Sequence, residues 1–227
     1  MKKGVNIVVL GSAGRMGAEV LAAVKNHKHA HVLATVSKPG ALERIKLSAH
    51  DRPVVMIDFS SPSGFVEGLR FCRKNEIGFV SGTTGLSAAN MRALRAASKK
   101  IAVFWSPNMS FGINLIAELL KHQAFGNYDL QVEEFHHRNK KDAPSGTARM
   151  LQNVLCAATK KSIPKPLSGR GGGIFGIHKI WAMGDEEVLT IEHTALNRRV
   201  FASGAVRAAI WISDKSHGLY DFGDLLK

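Results

Sequence analysis

The side chains best suited to chemistry in this sequence are concentrated in the segment EFHHRNKKDAPSGTA, residues 134–148. Imidazole and ammonium groups can donate protons and can bind anions, and this segment has both in His136, His137 and Lys140. Either His136 or Lys140 could therefore supply a proton to a substrate as a general acid. A solvated basic turn before a helix is the alternative interpretation.

The same segment predicts the start of a helix over residues 147–158. Ser145 is of a type that commonly caps helices, and an apolar helical pattern follows it. The N–H groups of Gly146 and Thr147 would then lack partners within the helix and could hold an anion. Side-chain cations and the helix end could together bind two carboxylates, which favours a small dicarboxylate as the ligand.

A glycine-rich turn near the amino terminus predicts a nucleotide site. The motif GSAGRMG lies between an apolar run and a helical pattern, where a dinucleotide fingerprint belongs. Glycines let the backbone approach a pyrophosphate, and a helix start supplies N–H groups. The spacing is GxxGxxG rather than GxGxxG, so a tight turn without a ligand is the alternative. The candidate cofactor residues are Gly11, Ser12, Ala13, Gly14, Arg15 and Met16. Arg15 could contact a phosphate, or its side chain could face solvent.

The end of the second predicted strand bears on cofactor type. An acidic residue about 20 positions beyond the fingerprint normally binds the ribose 2′-OH of NAD. Here Ser37 and Lys38 occupy that place, and a lysine would favour a 2′-phosphate. We therefore predict that NADPH is preferred modestly over NADH, with a solvated loop as the alternative place for Lys38.

Two further turns that follow predicted strands could contact a cofactor. GTTG offers hydroxyl groups between glycines, although it is also a common turn. In SPNMS, Asn108 could hold a nicotinamide carboxamide, with N-capping of the next helix by Ser110 as the alternative. The candidate residues are Gly82, Thr83, Thr84, Ser106, Pro107, Asn108 and Met109.

Alternating strands and helices must position these turns in the first half of the chain. Such alternation predicts an α/β domain with a parallel, doubly wound sheet, in which ligands bind beyond the carboxyl ends of the strands. Helices are predicted from residue 16, over 62–75 and over 87–99. The predicted strands cover residues 5–10, 32–36, 54–58, 78–81 and 101–105.

After residue 107 the pattern changes to that of a second α+β domain. A helix is predicted over 113–120, strands over 128–135, 174–182 and 188–194, and a mobile loop over 162–173. An apolar helix over 206–212 is expected to pack on the first domain. We therefore assign residues 1–107 with 206–227 to dinucleotide binding, and 108–205 to substrate binding and oligomerisation.

Charge, apolar patterning and cysteine spacing narrow the class of protein to which this chain can belong. The net charge of +13 favours anionic partners, and nucleic acid is an alternative that scattered basic residues do not favour. No apolar stretch is long enough to span a membrane, and the amino terminus does not have the pattern of a signal peptide. Cys72 and Cys156 lack metal-site spacing, which is typical of reduced thiols in a cytoplasmic protein.

Several motifs resemble those of the 4-hydroxy-tetrahydrodipicolinate reductase family over nearly the whole chain. His178, the segment 192–205 and the tail 218–226 are similar to that family too. The resemblance implies an NADPH- or NADH-dependent reductase of lysine and diaminopimelate synthesis, with a Rossmann domain and a homotetrameric assembly. The motifs that carry it are GSAGRMG, FSSP (59–62), GTTG, SPNMSFGIN (106–114) and EFHHRNKKDAPSGTA.

The resemblance also implies roles for individual residues. The first histidine of the basic string would be the acid and the following lysine its assistant, which gives His136 and Lys140. The second histidine and the Gly-Thr pair would bind substrate, which gives His137, Gly146 and Thr147. No metal is implied.

The sequence departs from the family pattern in three respects. Ala13 stands where glycine is common, the acidic ribose-binding residue is missing, and the segment 37–53 is short enough to have lost a helix or strand.

Two rival functions remain open. One is another Rossmann dehydrogenase of a small carboxylate, which would need a catalytic cysteine or an ammonia site, and the other is a non-enzymatic protein that binds nucleotides or nucleic acid.

Overall fold

The computed structural model describes residues 4–38, 40–45, 47 and 52–227. The chain divides into two compact units, one that runs up to Ser110 and includes Phe201–Lys227, and one that covers Phe111–Val200. Among the described residues, no helix combines the length and the apolar character needed to cross a bilayer.

The first unit is built on a parallel six-stranded sheet in the order β10-β5-β4-β3-β1-β2. Its inner strands are continuous apolar runs because helices cover both faces of such a sheet. The carboxyl ends of parallel strands meet at one edge, so the turns after β1, β2, β4 and β5 lie at that edge. The strands are β1 (Val5–Leu10), β2 (Ala30–Val36), β3 (Val54–Asp58), β4 (Gly78–Ser81), β5 (Ala102–Trp105) and β10 (Gly218–Tyr220).

Capped helices pack on this sheet. Ser61 accepts a hydrogen bond from the Gly64 N–H at the start of α2, and Ser87 forms a capping box with Asn90 at the start of α3. In the core, the rings of Phe65 and Phe79 meet edge to face at 5.6 Å. The helices are α1 (Arg15–Lys25), α2 (Pro62–Lys74), α3 (Ala88–Ala97), α6 (Arg199–Ile212) and α7 (Phe222–Leu225), with a short 3-10 helix at Leu42–Arg44.

Strand β10 is absent from the sequence-based prediction. It has three residues and pairs in parallel with β5, which extends the predicted five strands to six. The possible loss of an element between β2 and β3 falls partly on residues 39, 46 and 48–51, which lie outside the described residues. The described part of that segment contains the 3-10 helix.

The second unit is a mixed four-stranded sheet in the order β7-β6-β8-β9. Alternate residues of β6 and β8 face α4 and α5, and this face buries Leu130, Val132, Ile180 and Ala182. The elements are α4 (Phe111–Leu119), a 3-10 helix (Gln123–Asn127), β6 (Asp129–His136), α5 (Gly146–Thr159), β7 (Leu167–Arg170), β8 (Ile177–Met183) and β9 (Val188–Thr194). The predicted fold class, a Rossmann-type α/β sheet followed by an α+β unit, is confirmed.

The prediction of a mobile loop over 162–173 is wrong for Leu167–Arg170, which forms β7 alongside β6. The sequence LSGR has low strand propensity, so pairing with β6 supplies the stability that local preference lacks. A Cβ at Gly169 would lie 2.2 Å from the ring of Phe135, so the strand approaches β6 closely there only because residue 169 is glycine.

Candidate active site

The turn after β1 has the geometry of a phosphate-binding turn. Gly11 has φ +82, a conformation that favours glycine. A Cβ at Gly17 would lie 2.2 Å from the Gly11 carbonyl oxygen, so α1 packs directly on the turn. Gly14 is the N-cap of α1 and has no side chain to bond the first N–H groups. The helix start can therefore offer its backbone N–H groups to an anion.

A cleft of about 260 Å³ adjoins this turn, and Ser37 and Lys38 line it together with Gly11 and Gly14. Glycine backbone, hydroxyl groups and one ammonium group lie in this lining beside the apolar residues Leu10 and Phe59, and the polar groups fit the phosphate and ribose groups of a dinucleotide. Lys38, predicted from its position after β2, thus shares a cleft with the glycine turn. Of the other predicted turn residues, Ala13 and Arg15 are exposed, and Ser12 and Met16 are half-buried.

A buried carboxylate connects the ends of β3 and β4. Asp58 is 0% exposed and accepts hydrogen bonds from the hydroxyl groups of Ser60 at 2.5 Å, Ser81 at 2.7 Å and Thr83 at 2.8 Å. Burial raises the pKa of Asp58, and these hydroxyl groups oppose that rise. The indole N–H of Trp105 donates to the Thr83 carbonyl at 3.3 Å. Thr83 is therefore held in place by the fold, and Gly82, Thr83 and Thr84 all remain candidate cofactor contacts of this turn.

The turn after β5 is stabilised by its own polar groups. Ser106 donates its hydroxyl to the Asn108 carbonyl at 2.7 Å, and the Ser110 N–H donates to the side-chain oxygen of Asn108 at 2.8 Å. Met109 is 1% exposed and Pro107 is exposed. Asn108 thus has the side chain that orders this turn.

In the second unit, β6 places a carboxylate on an apolar face. Glu134 is 0% exposed and lies on the same face as Leu130 and Val132. Arg170 donates to its two oxygens at 3.0 and 2.9 Å, and the Ser145 N–H donates at 3.2 Å. Burial favours the neutral acid, but hydrogen bonds from Arg170, Ser168 and His136 prevail and lower the pKa of Glu134 to about 2. Glu134 is therefore a carboxylate at neutral pH.

His136 is the next residue on the same face and is 7% exposed. Its Nδ1 is hydrogen-bonded to the ionised Glu134, so Nδ1 bears the proton in this contact. Burial lowers the pKa of His136, Glu134 opposes this, and the charges of Lys140 and Arg170 lower it further. The free protein therefore holds a mostly neutral imidazole whose Nε2 is left for proton exchange.

His178 on β8 packs edge to face with His136, with the ring centroids 5.1 Å apart. Burial lowers the pKa of His178 to about 3, so this ring is neutral. Its Nε2 lies 3.2 Å from the Ser145 hydroxyl, which also accepts the Ala148 N–H as the N-cap of α5. Within the described part of the chain, Nδ1 of His178 has no hydrogen-bond partner. The imidazole of His136 thus packs against an uncharged ring on β8.

A carboxylate already lies among the groups predicted to bind substrate. The Nζ of Lys140 is 2.7 Å from the Asp142 carboxylate. Burial alone would raise the pKa of Asp142, but Lys140 and the backbone N–H groups of Asp142 and Gly146 lower it. Lys140 and the start of α5 therefore form a donor set that binds a carboxylate. Thr147 is half-buried in the first turn of α5, and His137 is half-buried just beyond β6.

Comparison with known proteins shows the family to which the chain belongs. The family profiles described as "Dihydrodipicolinate reductase, N-terminus" and "Dihydrodipicolinate reductase, C-terminus" match residues 5–109 and 112–226. A protein of Bdellovibrio bacteriovorus named 4-hydroxy-tetrahydrodipicolinate reductase is 45% identical over 100% of this chain and 97% of its own length. The chain belongs to the dihydrodipicolinate reductase family. The predictions of the family and of an oxidoreductase function are thereby confirmed.

Other relatives support the same family. A Rickettsia bellii protein of the same name is 36% identical over 98% of this chain and 95% of its own length. A dihydrodipicolinate reductase structure from Paenisporosarcina sp. TG-14, described as dipicolinate-bound, aligns with a TM-score of 0.78 and 22% identity. It covers 96% of this chain and 97% of that one, and so supports the fold.

Sequence reasoning did not assign roles to Asp58, Glu134 and Arg170. A signal for Glu134 was present, because period-two alternation on β6 places a glutamate on the face of Leu130 and Val132. An acidic residue on an apolar strand face needs a partner. Nothing local to the sequence identifies Arg170 as that partner, since it lies 36 residues away.

The hydroxyl of Thr83 predicts a difference in stability between two adjacent threonines. Thr83→Val removes a donor to the buried Asp58 carboxylate, whereas Thr84 is exposed in the same turn. We expect Thr83→Val to lower the free energy of unfolding by about 1.5–3 kcal/mol, and Thr84→Val to change it by less than about 0.5 kcal/mol. Urea unfolding followed by tryptophan fluorescence measures both values.

The effect of Thr83→Val should also depend on pH. A buried acid with a raised pKa makes the folded state less stable as pH rises through the interval between its unfolded and folded values. Losing a donor raises the pKa of Asp58 further, so the loss of stability should be larger at pH 7.5 than at pH 4. Equal effects of the two substitutions at pH 7.5 would contradict the role of Asp58.

Proposed function

We propose that this chain reduces 4-hydroxy-tetrahydrodipicolinate to tetrahydrodipicolinate with NADPH or NADH, as the names of its relatives indicate. The observation that carries the proposal is the arrangement of groups in the second unit. A positioned imidazole, His136, adjoins the charge of Lys140, and Lys140 and the start of α5 already bind a carboxylate.

The substrate class follows from the donor groups. We assign one substrate carboxylate to Lys140 and the N–H groups of Gly146 and Thr147, where it would replace the carboxylate of Asp142. The half-buried His137 would bind the substrate as well. A dicarboxylate brings two negative charges next to His136, and such charges raise the pKa of an imidazole. Bound substrate would therefore favour the protonated, acidic form of His136.

The reaction requires loss of water from the 4-hydroxyl group and then addition of a hydride and a proton. NAD(P)H supplies the hydride when bound. We assign the proton to His136, and Lys140 assists by holding positive charge near the ring nitrogen that gains electrons. A general acid of this kind accelerates a reaction by about 10²–10⁴-fold.

The first unit would bind the cofactor at the carboxyl edge of its sheet. Gly11–Met16 would hold the pyrophosphate, Lys38 the adenosine ribose or its 2′-phosphate, and the turns after β4 and β5 the remaining groups. The shared cleft of Gly11, Gly14 and Lys38 supports this assignment. We propose NADPH as the preferred cofactor.

The family resemblance also implies a cytoplasmic homotetramer. Exposed apolar side chains on the strands of the second unit support self-association, because large exposed apolar groups commonly mark interfaces. They include Leu167 at 55%, Val188 at 53% and Leu189 at 44% exposure.

The cysteines disfavour a semialdehyde dehydrogenase. Burial raises the pKa of the Cys72 thiol well above its usual value, and Cys156 lies within α5. Neither cysteine stands at a strand end, where a nucleophile of this fold would be expected.

The proposed activity predicts a selective oxidation of the reduced cofactor. The purified protein should oxidise NADPH or NADH, followed at 340 nm, only when the preceding synthase generates the substrate in situ. Omitting the synthase is the control. Turnover with simple 2-keto acids and none with the synthase product would contradict the proposal.

The proposed proton donors predict losses in kcat. His136→Gln and Lys140→Ala should each lower kcat by about 10²-fold or more, while His137→Ala should act mainly on KM. Lys141→Ala is a matched control, since this exposed lysine is adjacent to Lys140. A folded double variant of His136→Gln and Lys140→Ala with the kcat of the unsubstituted protein would place the chemistry elsewhere.

The position of Lys38 predicts the cofactor preference. A partly exposed lysine–phosphate contact contributes about 1 kcal/mol, or several-fold in affinity. The unsubstituted protein should therefore have the lower KM for NADPH, and Lys38→Glu should raise KM for NADPH far more than for NADH. Lys28→Glu makes the same charge change at an exposed site before β2 and should leave the KM values for NADPH and NADH unchanged. A preference for NADH at moderate salt would contradict this assignment.

A further inference from the structure

We infer that Glu134 and Arg170 are positioning residues that fix the tautomer and orientation of His136 without contacting the substrate. The inference rests on the proposed function, because it concerns the group to which the proton transfer is assigned. It is carried by the hydrogen bonds of a buried carboxylate and of a guanidinium group on a neighbouring strand.

All the hydrogen-bonding groups of Arg170 are directed into the protein. A guanidinium group has five N–H donors. Two of them reach Glu134, and the others reach the carbonyl oxygens of Gly169 at 2.6 Å, Asp142 at 2.6 Å and Lys140 at 3.3 Å. Arg170 therefore has no N–H left to donate to a substrate carboxylate, although it is a cation in the substrate unit.

These bonds connect three segments around the imidazole. Arg170 links the carboxylate on β6 to the backbone of the segment that contains Lys140 and Asp142. Glu134 also accepts the N–H of Ser145, the N-cap of α5. One pair of charged side chains, Glu134 and Arg170, thus holds His136, the backbone of Lys140 and the start of α5 in place.

The pair determines which nitrogen of His136 can serve the reaction. Glu134 is acceptor-only when ionised, so it fixes the proton on Nδ1 and turns Nε2 to the other side of the ring. On that side, a Cβ at Gly176 would lie 3.0 Å from Nε2. The glycine therefore leaves space at the nitrogen that must exchange a proton.

The charges around His136 show what the carboxylate contributes. Lys140 from the loop and Arg170 from β7 disfavour the imidazolium form, and His178 from β8 is a neutral ring. Glu134 is the group among them that favours the imidazolium form. Glu134→Gln would remove this charge and leave Arg170 and Lys140 near the ring, with Lys140 still paired to Asp142, so the pKa of His136 should fall.

The test compares Glu134→Gln with Glu133→Gln on the same strand. Glu133 lies on the other face of β6 and accepts the Trp181 indole N–H at 3.0 Å, so its substitution makes the same charge change away from His136. Imidazole ¹⁵N NMR of each protein gives the tautomer and the pKa of His136 without any turnover. We expect Glu134→Gln to lower this pKa by about one unit or more and Glu133→Gln to leave it unchanged.

Kinetics then separate positioning from substrate contact. Glu134→Gln should lower kcat at pH 7.5 by about tenfold or more with KM changed less than twofold, and the loss should shrink as pH falls. Glu134→Asp keeps the charge and should retain the pH profile of the unsubstituted protein, at a lower kcat. It also serves as the test variant if the glutamine variant does not fold, because a displaced profile in Glu134→Asp would overturn the inference.

Other outcomes would also overturn the inference. An unchanged tautomer and pKa of His136 in Glu134→Gln would do so, as would an effect confined to KM. A shifted imidazole titration in a protein that does not reduce the substrate would instead uphold the positioning role and reject the proposed function.

Discussion

A carboxylate that is shielded from water must find hydrogen-bond donors inside the protein, and the second unit is organised around this need of Glu134. Desolvating a charge costs several kcal/mol unless partners compensate for it. The compensation comes from Arg170 on β7, the N–H of Ser145 and the imidazole of His136. Each partner belongs to a different part of the site, so satisfying one buried charge also sets the relative positions of the proton donor and the helix start.

The first unit uses the same physical solution at its sheet edge. Asp58 ends β3 without access to water, and three hydroxyl groups from the ends of β3 and β4 converge on it. Its partners are neutral, so burial still raises the pKa of Asp58, whereas the guanidinium partner of Glu134 lowers the pKa of that carboxyl. The difference fits the proposed roles, since Asp58 holds a turn and Glu134 stabilises the imidazolium form of His136.

The sequence was sufficient to predict the elements with strong local patterns. The predicted bounds of β1, β3, β4 and β9 agree with the structure, as does the N-cap of α5 at Ser145. Strands β7 and β10 were missed because they are short and depend on a neighbouring strand for their stability. Residue types and motif spacing indicated His136 and Lys140 as candidate proton donors. The pairing of Glu134 with Arg170 could not be predicted, because the two residues are 36 positions apart and no sequence pattern links them.

The hydrogen-bond network of His136 lies entirely within residues 111–200, whereas Lys38 and the glycine turn belong to the other compact unit. Substitutions at Lys38 or in the glycine turn, to which we assign nucleotide recognition, therefore leave the described partners of Glu134 in place. A change of preference from one nicotinamide cofactor to the other therefore requires no change among the groups that surround His136. The short segment between β2 and β3 is one region in which such divergence would be tolerated, because none of its described residues contributes a group around His136.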